Sequence, residues 1–81
     1  MMKIKILFFG MSKDLAGTNG VSIQIDKNIS VYDVRKLLLR NYPSFGSMDT
    51  FAIAVNEGYA DDETEINDND VIAVIPPVSG G

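Results

Sequence analysis

Apolar and polar residues alternate along Lys3-Ile4-Lys5-Ile6-Leu7-Phe8-Phe9, so an extended chain places Ile4, Ile6 and Phe8 on one face and Lys3, Lys5, Leu7 and Phe9 on the other. The first face predicts core. The second begins charged and turns apolar, which is unusual for an outer face that should meet water. Ser12 is placed to cap a short helical turn through Lys13, Asp14, Leu15 and Ala16, closed by Gly17, and Thr18-Asn19-Gly20 carries a turn signal. Val21-Ser22-Ile23-Gln24-Ile25 alternates again, predicting a strand with Val21, Ile23 and Ile25 inward.

The period then becomes helical. Val31, Val34, Leu37, Leu38 and Tyr42 form an apolar stripe, while Asp33, Arg35, Lys36 and Arg40 fall largely on the water side. Ser30 is a natural N-cap with Asp33 three residues on, an acidic variant of the capping box, and Ile29 can staple onto Val34. Pro43 predicts the helix end near Tyr42. Ser44 to Thr50 reads as a loop, after which Phe51-Ala52-Ile53-Ala54-Val55-Asn56 resumes strand character with Ile53 and Val55 inward. Glu57-Gly58-Tyr59 predicts a turn, Thr64 to Ile66 one weak short strand, and Asn67-Asp68-Asn69-Asp70 the turn into a last apolar strand, Val71-Ile72-Ala73-Val74-Ile75. Strand, strand, helix, strand, strand is an α+β order in which a small sheet needs one helix to cover a face.

The 81 residues suffice for one modest core and not two. Cysteine and histidine are both absent, so the usual nucleophile–base pairs, disulfides and zinc sites are largely excluded, and any reaction is expected to be performed on this chain by a partner. The apolar opening is short and interrupted by Lys3 and Lys5, which is unlike a signal peptide, and no run is long enough for a bilayer; the expectation is a soluble cytoplasmic protein with no membrane partner. Every Lys and Arg lies at or before Arg40, whereas Glu57, Asp61, Asp62, Glu63, Glu65, Asp68 and Asp70 crowd the final third. With a net charge of −4, nucleic acid is not expected as a partner. The acidic run reads either as a solvated loop or as a face steering the chain toward a basic cleft. Asp68-Asn69-Asp70 lacks the other ligands and the glycine of an EF-hand loop, and no metal is expected.

Chemistry is concentrated at the end of the sequence. Pro76 and Pro77 have no N–H with which to extend a ladder, so hydrogen bonding should cease near Ile75, and Val78-Ser79-Gly80-Gly81 should leave the sheet. The expected division is a folded body over residues 1–76 and a tail over 77–81. A bare Gly-Gly is commonly a frayed end. Behind an apolar strand and Pro-Pro, however, it makes a carboxyl group that can thread a narrow channel, with no side chain hindering attack at Gly81. A free carboxylate is a poor acyl donor; ATP could turn it into an adenylate, from which sulfide would give a thiocarboxylate and a lysine amine an amide.

Pro76-Pro77-Val78-Ser79-Gly80-Gly81, following Asp68-Asn69-Asp70-Val71-Ile72-Ala73-Val74-Ile75, resembles the C-terminal signature of the molybdopterin synthase small subunits, the MoaD-type sulfur carriers of the ThiS/MoaD family. Lys5-Ile6-Leu7-Phe8-Phe9-Gly10 resembles that family's first strand and Ala54-Val55-Asn56 its central one. The resemblance implies a β-grasp, ubiquitin-like fold: a mixed sheet curled over one helix, with the first and last strands parallel at its centre. The uncovered face would then carry Leu7 and Phe9 with Val71, Ala73 and Ile75, joined by Tyr59 from the turn. Several apolar residues on adjacent strands beside a departing tail suggest a docking patch.

By the same resemblance, Phe9, Tyr59 and Ile75 match family interface positions. Gly81 would be adenylated, with ATP used in trans and no cofactor bound, by an enzyme related to ubiquitin-activating enzymes. It would receive sulfur from a sulfurtransferase or cysteine desulfurase, then donate it as a thiocarboxylate within a heterotetramer of two small subunits on a large-subunit dimer. The candidate site is accordingly Gly80 and Gly81 for the chemistry, and Leu7, Phe9, Tyr59, Ile75, Pro76, Pro77, Val78 and Ser79 for partner binding. A carrier for thiamine thiazole or tRNA thiolation, a ubiquitin-like modifier, and a plain interaction domain are the competing readings.

Overall fold

A computed structural model of the chain describes residues 1–77. Strand β1 (Met2–Phe8) pairs antiparallel with β2 (Gly20–Ile25) and parallel with β5 (Val71–Ile75), and β5 pairs antiparallel with β3 (Ala52–Val55), which in turn pairs with β4 (Gly58–Ala60). The order β2-β1-β5-β3-β4 puts the two parallel strands at the middle. Helix α1 (Met11–Ala16) follows β1, helix α2 (Val31–Asn41) follows β2, and a single 3-10 turn, Pro43–Phe45, follows α2. This is the mixed sheet over one main helix that defines a β-grasp.

Alternation decides which face of the sheet is dry. Ile4, Ile6 and Phe8 of β1 are buried, as are Ile72 and Val74 of β5 and Ile53 of β3, and they pack on Val31, Val34 and Leu38 of α2. Ile25 is buried as expected, while Val21, Ile23 and Val55 are only partly covered at the margins of this core. The helix starts where its sequence says it should: the Ser30 N–H donates to Asp33 Oδ2 at 3.0 Å, completing the capping box. Residues 64–66 form no strand, only one antiparallel bridge between Ser30 and Glu65, but it seats Ile66 at 1% exposure beneath the helix entry.

Three expectations are corrected. The segment read as a loop, Ser44 to Thr50, supplies core: Phe45 and Met48 are buried, and Phe45 meets the buried Phe51 that follows the segment edge-on at 5.1 Å between ring centres, within a cluster that includes Phe8 and Tyr42. Tyr42, Phe45, Met48 and Phe51 recur every third residue, but Pro43 and Gly46 break the α-helix that such a spacing would otherwise suggest, so the pattern does not announce a buried face. Arg35 does not face water. Its Nη1 donates to the carbonyls of Met48 and Phe51 and its Nε pairs with Asp62 Oδ1 at 2.7 Å, tying that irregular segment to the helix. Finally, Gly58-Tyr59-Ala60 is strand rather than turn. The turn lies one residue earlier, at Asn56 and Glu57, whose φ values of 50° and 72° suit the two-residue hairpin that matches sheet twist.

Candidate functional site

The face opposite the helix carries a row of residues set by register alone. Leu7 lies beside Ala73, Ala73 beside Ala54, and Ala54 beside Tyr59, so the row crosses four strands. The next row pairs Ile75 with Ala52. The alanines form a low floor between Leu7 and Phe9 on one side and Tyr59 on the other. Phe9 is 50% and Tyr59 79% exposed, and Met11 adds a third exposed apolar side chain at 50%. Leu7 and Ile75 are half-buried within the floor. Toward the other end of the sheet the same face turns polar, with Lys5 opposite Ser22 and Lys3 opposite Gln24. The predicted residues Leu7, Tyr59 and Ile75 thus share one surface, with Phe9 one residue past the end of β1. Placing Tyr59 on β4 rather than in a turn fixes it in that surface by strand pairing. Met11 was missed by sequence reasoning, since it lies outside any alternating run.

The hairpin bearing Tyr59 is tied to the start of β5. Asn56 Nδ2 donates to Asp70 Oδ1 at 2.9 Å, and the Val71 N–H donates to Asn56 Oδ1 at 2.9 Å. Asp70 also accepts from the Asn67 N–H at 2.8 Å, and Asp68 from the Lys3 N–H at 2.8 Å. Among the acidic residues of the final third, Asp61, Asp62, Asp68 and Asp70 therefore satisfy local donors, leaving Glu57, Glu63 and Glu65 exposed without such bonds among the described residues.

The tail root is built at the opposite end of β5. The strand stops at Ile75, as the prolines dictate, with Pro76 half-buried and Pro77 exposed. Pro76 rests on Gly10: a Cβ on Gly10 would stand 3.0 Å from Pro76 Cγ, and the backbone there has φ 56° and ψ −134°, a combination that suits glycine. Gly10, not Ser12, is the N-cap of α1, while Gly17 closes that helix in the left-handed conformation as expected. Ser12 lies in the first turn, fully buried, with its Oγ 2.5 Å from Phe9 O and 3.1 Å from Val74 O, and it accepts from the Phe9 N–H at 2.9 Å. Val78, Ser79, Gly80 and Gly81 lie outside the described residues.

No group of three or more potential metal-ligating side chains occurs among the described residues, and no helix there is long and apolar enough to cross a membrane. The geometry thus offers an exposed apolar floor with a tail root at one edge of it, and among the described residues no metal-ligating cluster stands beside them.

The ThiS family profile matches residues 6–81. The chain belongs to the ThiS family. Among its curated relatives, the molybdopterin synthase sulfur carrier subunit of Dictyostelium discoideum is 39% identical, the match covering 98% of this chain and 96% of that protein. The subunit of the same name from Caenorhabditis elegans is 37% identical with 100% of both chains covered. Solved structures agree in fold. The putative molybdopterin converting factor subunit 1 of Pyrococcus furiosus superposes with a TM-score of 0.86 at 28% identity, over 96% of this chain and all, 100%, of that one. A chain from the complex of subunits 1 and 2 of the Helicobacter pylori molybdopterin-converting factor superposes with a TM-score of 0.70 at 27% identity, covering 99% of this chain and 100% of that one.

Proposed function

We propose that this chain is the sulfur-carrier small subunit of a molybdopterin synthase, with residues 1–76 as the docking body and 77–81 as the arm that carries sulfur. A carboxylate oxygen of Gly81 attacks the α-phosphate of ATP in an activating enzyme of the ubiquitin-activating type, releasing pyrophosphate. The outer sulfur of a persulfide on a sulfurtransferase or cysteine desulfurase then attacks the carbonyl carbon and expels AMP, and a thiol cleaves the resulting acyl disulfide, leaving a thiocarboxylate on Gly81 and a disulfide on the donor side. In the large synthase subunit, that sulfur passes to a pterin precursor to build the dithiolene, and water restores the carboxylate. The chain itself contributes position, not catalysis, and works in the cytoplasm. ATP is a substrate of the partner and no cofactor resides on this chain.

The observation that carries this reading is the adjacency of the floor and the tail root in a chain with neither histidine nor cysteine. Docking through Leu7, Phe9, Tyr59 and Ile75 leaves Pro76 and Pro77 to aim Val78 through Gly81 into a partner's active site. Proline restricts the arm before binding, so less conformational entropy is lost on insertion than with a flexible linker. Intact-mass spectrometry after incubation with the activating enzyme, ATP and sulfide tests it. A gain equal to one oxygen replaced by sulfur is expected; conjugates to other proteins that survive reduction would instead identify a modifier, and no change would leave the carrier reading without support.

A further inference from the structure

We infer that Ser12 is a positioning residue for the tail: its buried hydroxyl fixes the direction in which β5 hands over to Pro76, and so the aim of Gly81 at a partner's reacting atoms. This rests on the carrier reading above. The parallel ladder between β1 and β5 has its last pair at Phe8 and Val74, one residue before Ile75 and two before Pro76. Beyond that pair the β1 edge has little left to hold β5, whose other edge stays paired through Ile75 and Ala52. The Phe9 N–H reaches Val74 O at 3.3 Å, a long bond, and neither Pro76 nor Pro77 can donate.

Ser12 occupies that gap. Its Oγ accepts from the Phe9 N–H at 2.9 Å and shares its one proton between Phe9 O at 2.5 Å and Val74 O at 3.1 Å, joining the ends of both central strands through one fully buried atom. A serine used only to cap a helix needs neither that burial nor a bond to a carbonyl 62 residues away. Gly10, two residues earlier, supplies the matching seat, with its missing Cβ leaving room for Pro76 Cγ. Together they hold the strand end and seat the first proline.

The test separates aim from docking and from folding. The activating enzyme, with ATP and sulfide, is titrated with wild-type carrier, Ser12→Ala and Ser12→Cys, the last a near-isosteric and weak donor. Thiocarboxylate formation is read by mass. Ser12→Ala is expected to lower kcat on the order of tenfold, as a small misplacement of a reacting group does, while KM changes less than twofold. Ser12→Cys should fall between, and it carries the test if Ser12→Ala does not fold. A purely structural serine would lower thermal stability and leave kcat at saturating folded carrier unchanged, which would overturn the inference.

A Pro76→Gly, Pro77→Gly variant, in which the aim is already lost, provides a second check. Adding Ser12→Ala to it should cost nothing more, whereas losses that multiply would also overturn the inference. If wild-type carrier takes up no sulfur, the carrier reading itself fails; if it does and all Ser12 variants match it, only the positioning role fails.

Discussion

Gly10 and Arg35 show how much a single position can hold. At Gly10 a methyl group would meet Pro76 at 3.0 Å on a backbone already at positive φ, so Gly10→Ala should cost about 1–3 kcal/mol. For a domain of this size each kcal/mol lowers the melting temperature by about 4–8 °C, and a thermal melt unchanged from wild type would show that Pro76 does not sit there. Arg35 holds two carbonyls and one carboxylate from a position whose side chain is only 14% exposed. Truncating it strands the Met48 and Phe51 carbonyls, so Arg35→Ala should destabilise by roughly 2–4 kcal/mol in chemical denaturation, against less than about 0.5 for Arg40→Ala on the exposed side of the helix. Equal effects would remove the clamp. The sequence misleads at Arg35 because helical spacing reports where Cα lies, and a long side chain can carry its head back over the edge to a neighbouring loop. Ser12 misleads for a related reason: serine before a helical run signals a cap, and nothing local announces a carbonyl on the last strand.

Elements written in regular periods were legible and those held by long-range contacts were not. The two-residue period of β1 and β2, the branched run of β5 and the capping box of α2 each specify their element and its dry face locally. The segment between Tyr42 and Ala52 forms no strand and only one 3-10 turn, yet Phe45, Met48 and Phe51, set three apart, close one end of the core. The β3–β4 hairpin turns at Asn56 and Glu57 and not at Gly58, although glycine is the stronger turn signal, because Asn is among the few other residues that adopt positive φ. Asn56 also bonds Asp70 and the Val71 N–H, so Asn56→Ala loses both bonds and the left-handed preference together. We expect a loss of about 1–3 kcal/mol, with faster amide exchange at Val71 and in β4 before the rest of the sheet. Exchange that rises uniformly would mean that the hairpin is not tied to β5 through this side chain.

For the whole molecule, the sequence placed the apolar surface and the tail root on adjoining parts of one sheet, because a mixed sheet with one helix has only one free face. In the acidic third, Asp61, Asp62, Asp68 and Asp70 also bond donors of the fold itself, a structural role that the run of charge does not announce, and only Asp62 meets a cation among the described residues. If docking and chemistry reside in different parts of the chain, they must also fail separately. Phe9 is half exposed at the end of β1, so Phe9→Lys should leave the melting temperature within a few degrees of wild type while weakening binding to the large synthase subunit on the order of tenfold or more, since an exposed aromatic is a common anchor and an uncompensated charge in its place must be desolvated. Removing Gly81 should do the reverse, keeping much of the binding measured by calorimetry and abolishing sulfur uptake measured by mass. Each variant controls for the other. A Phe9→Lys carrier that binds normally would move the docking surface elsewhere, and a chain lacking Gly81 that still gains sulfur would place the acceptor atom somewhere other than the tail.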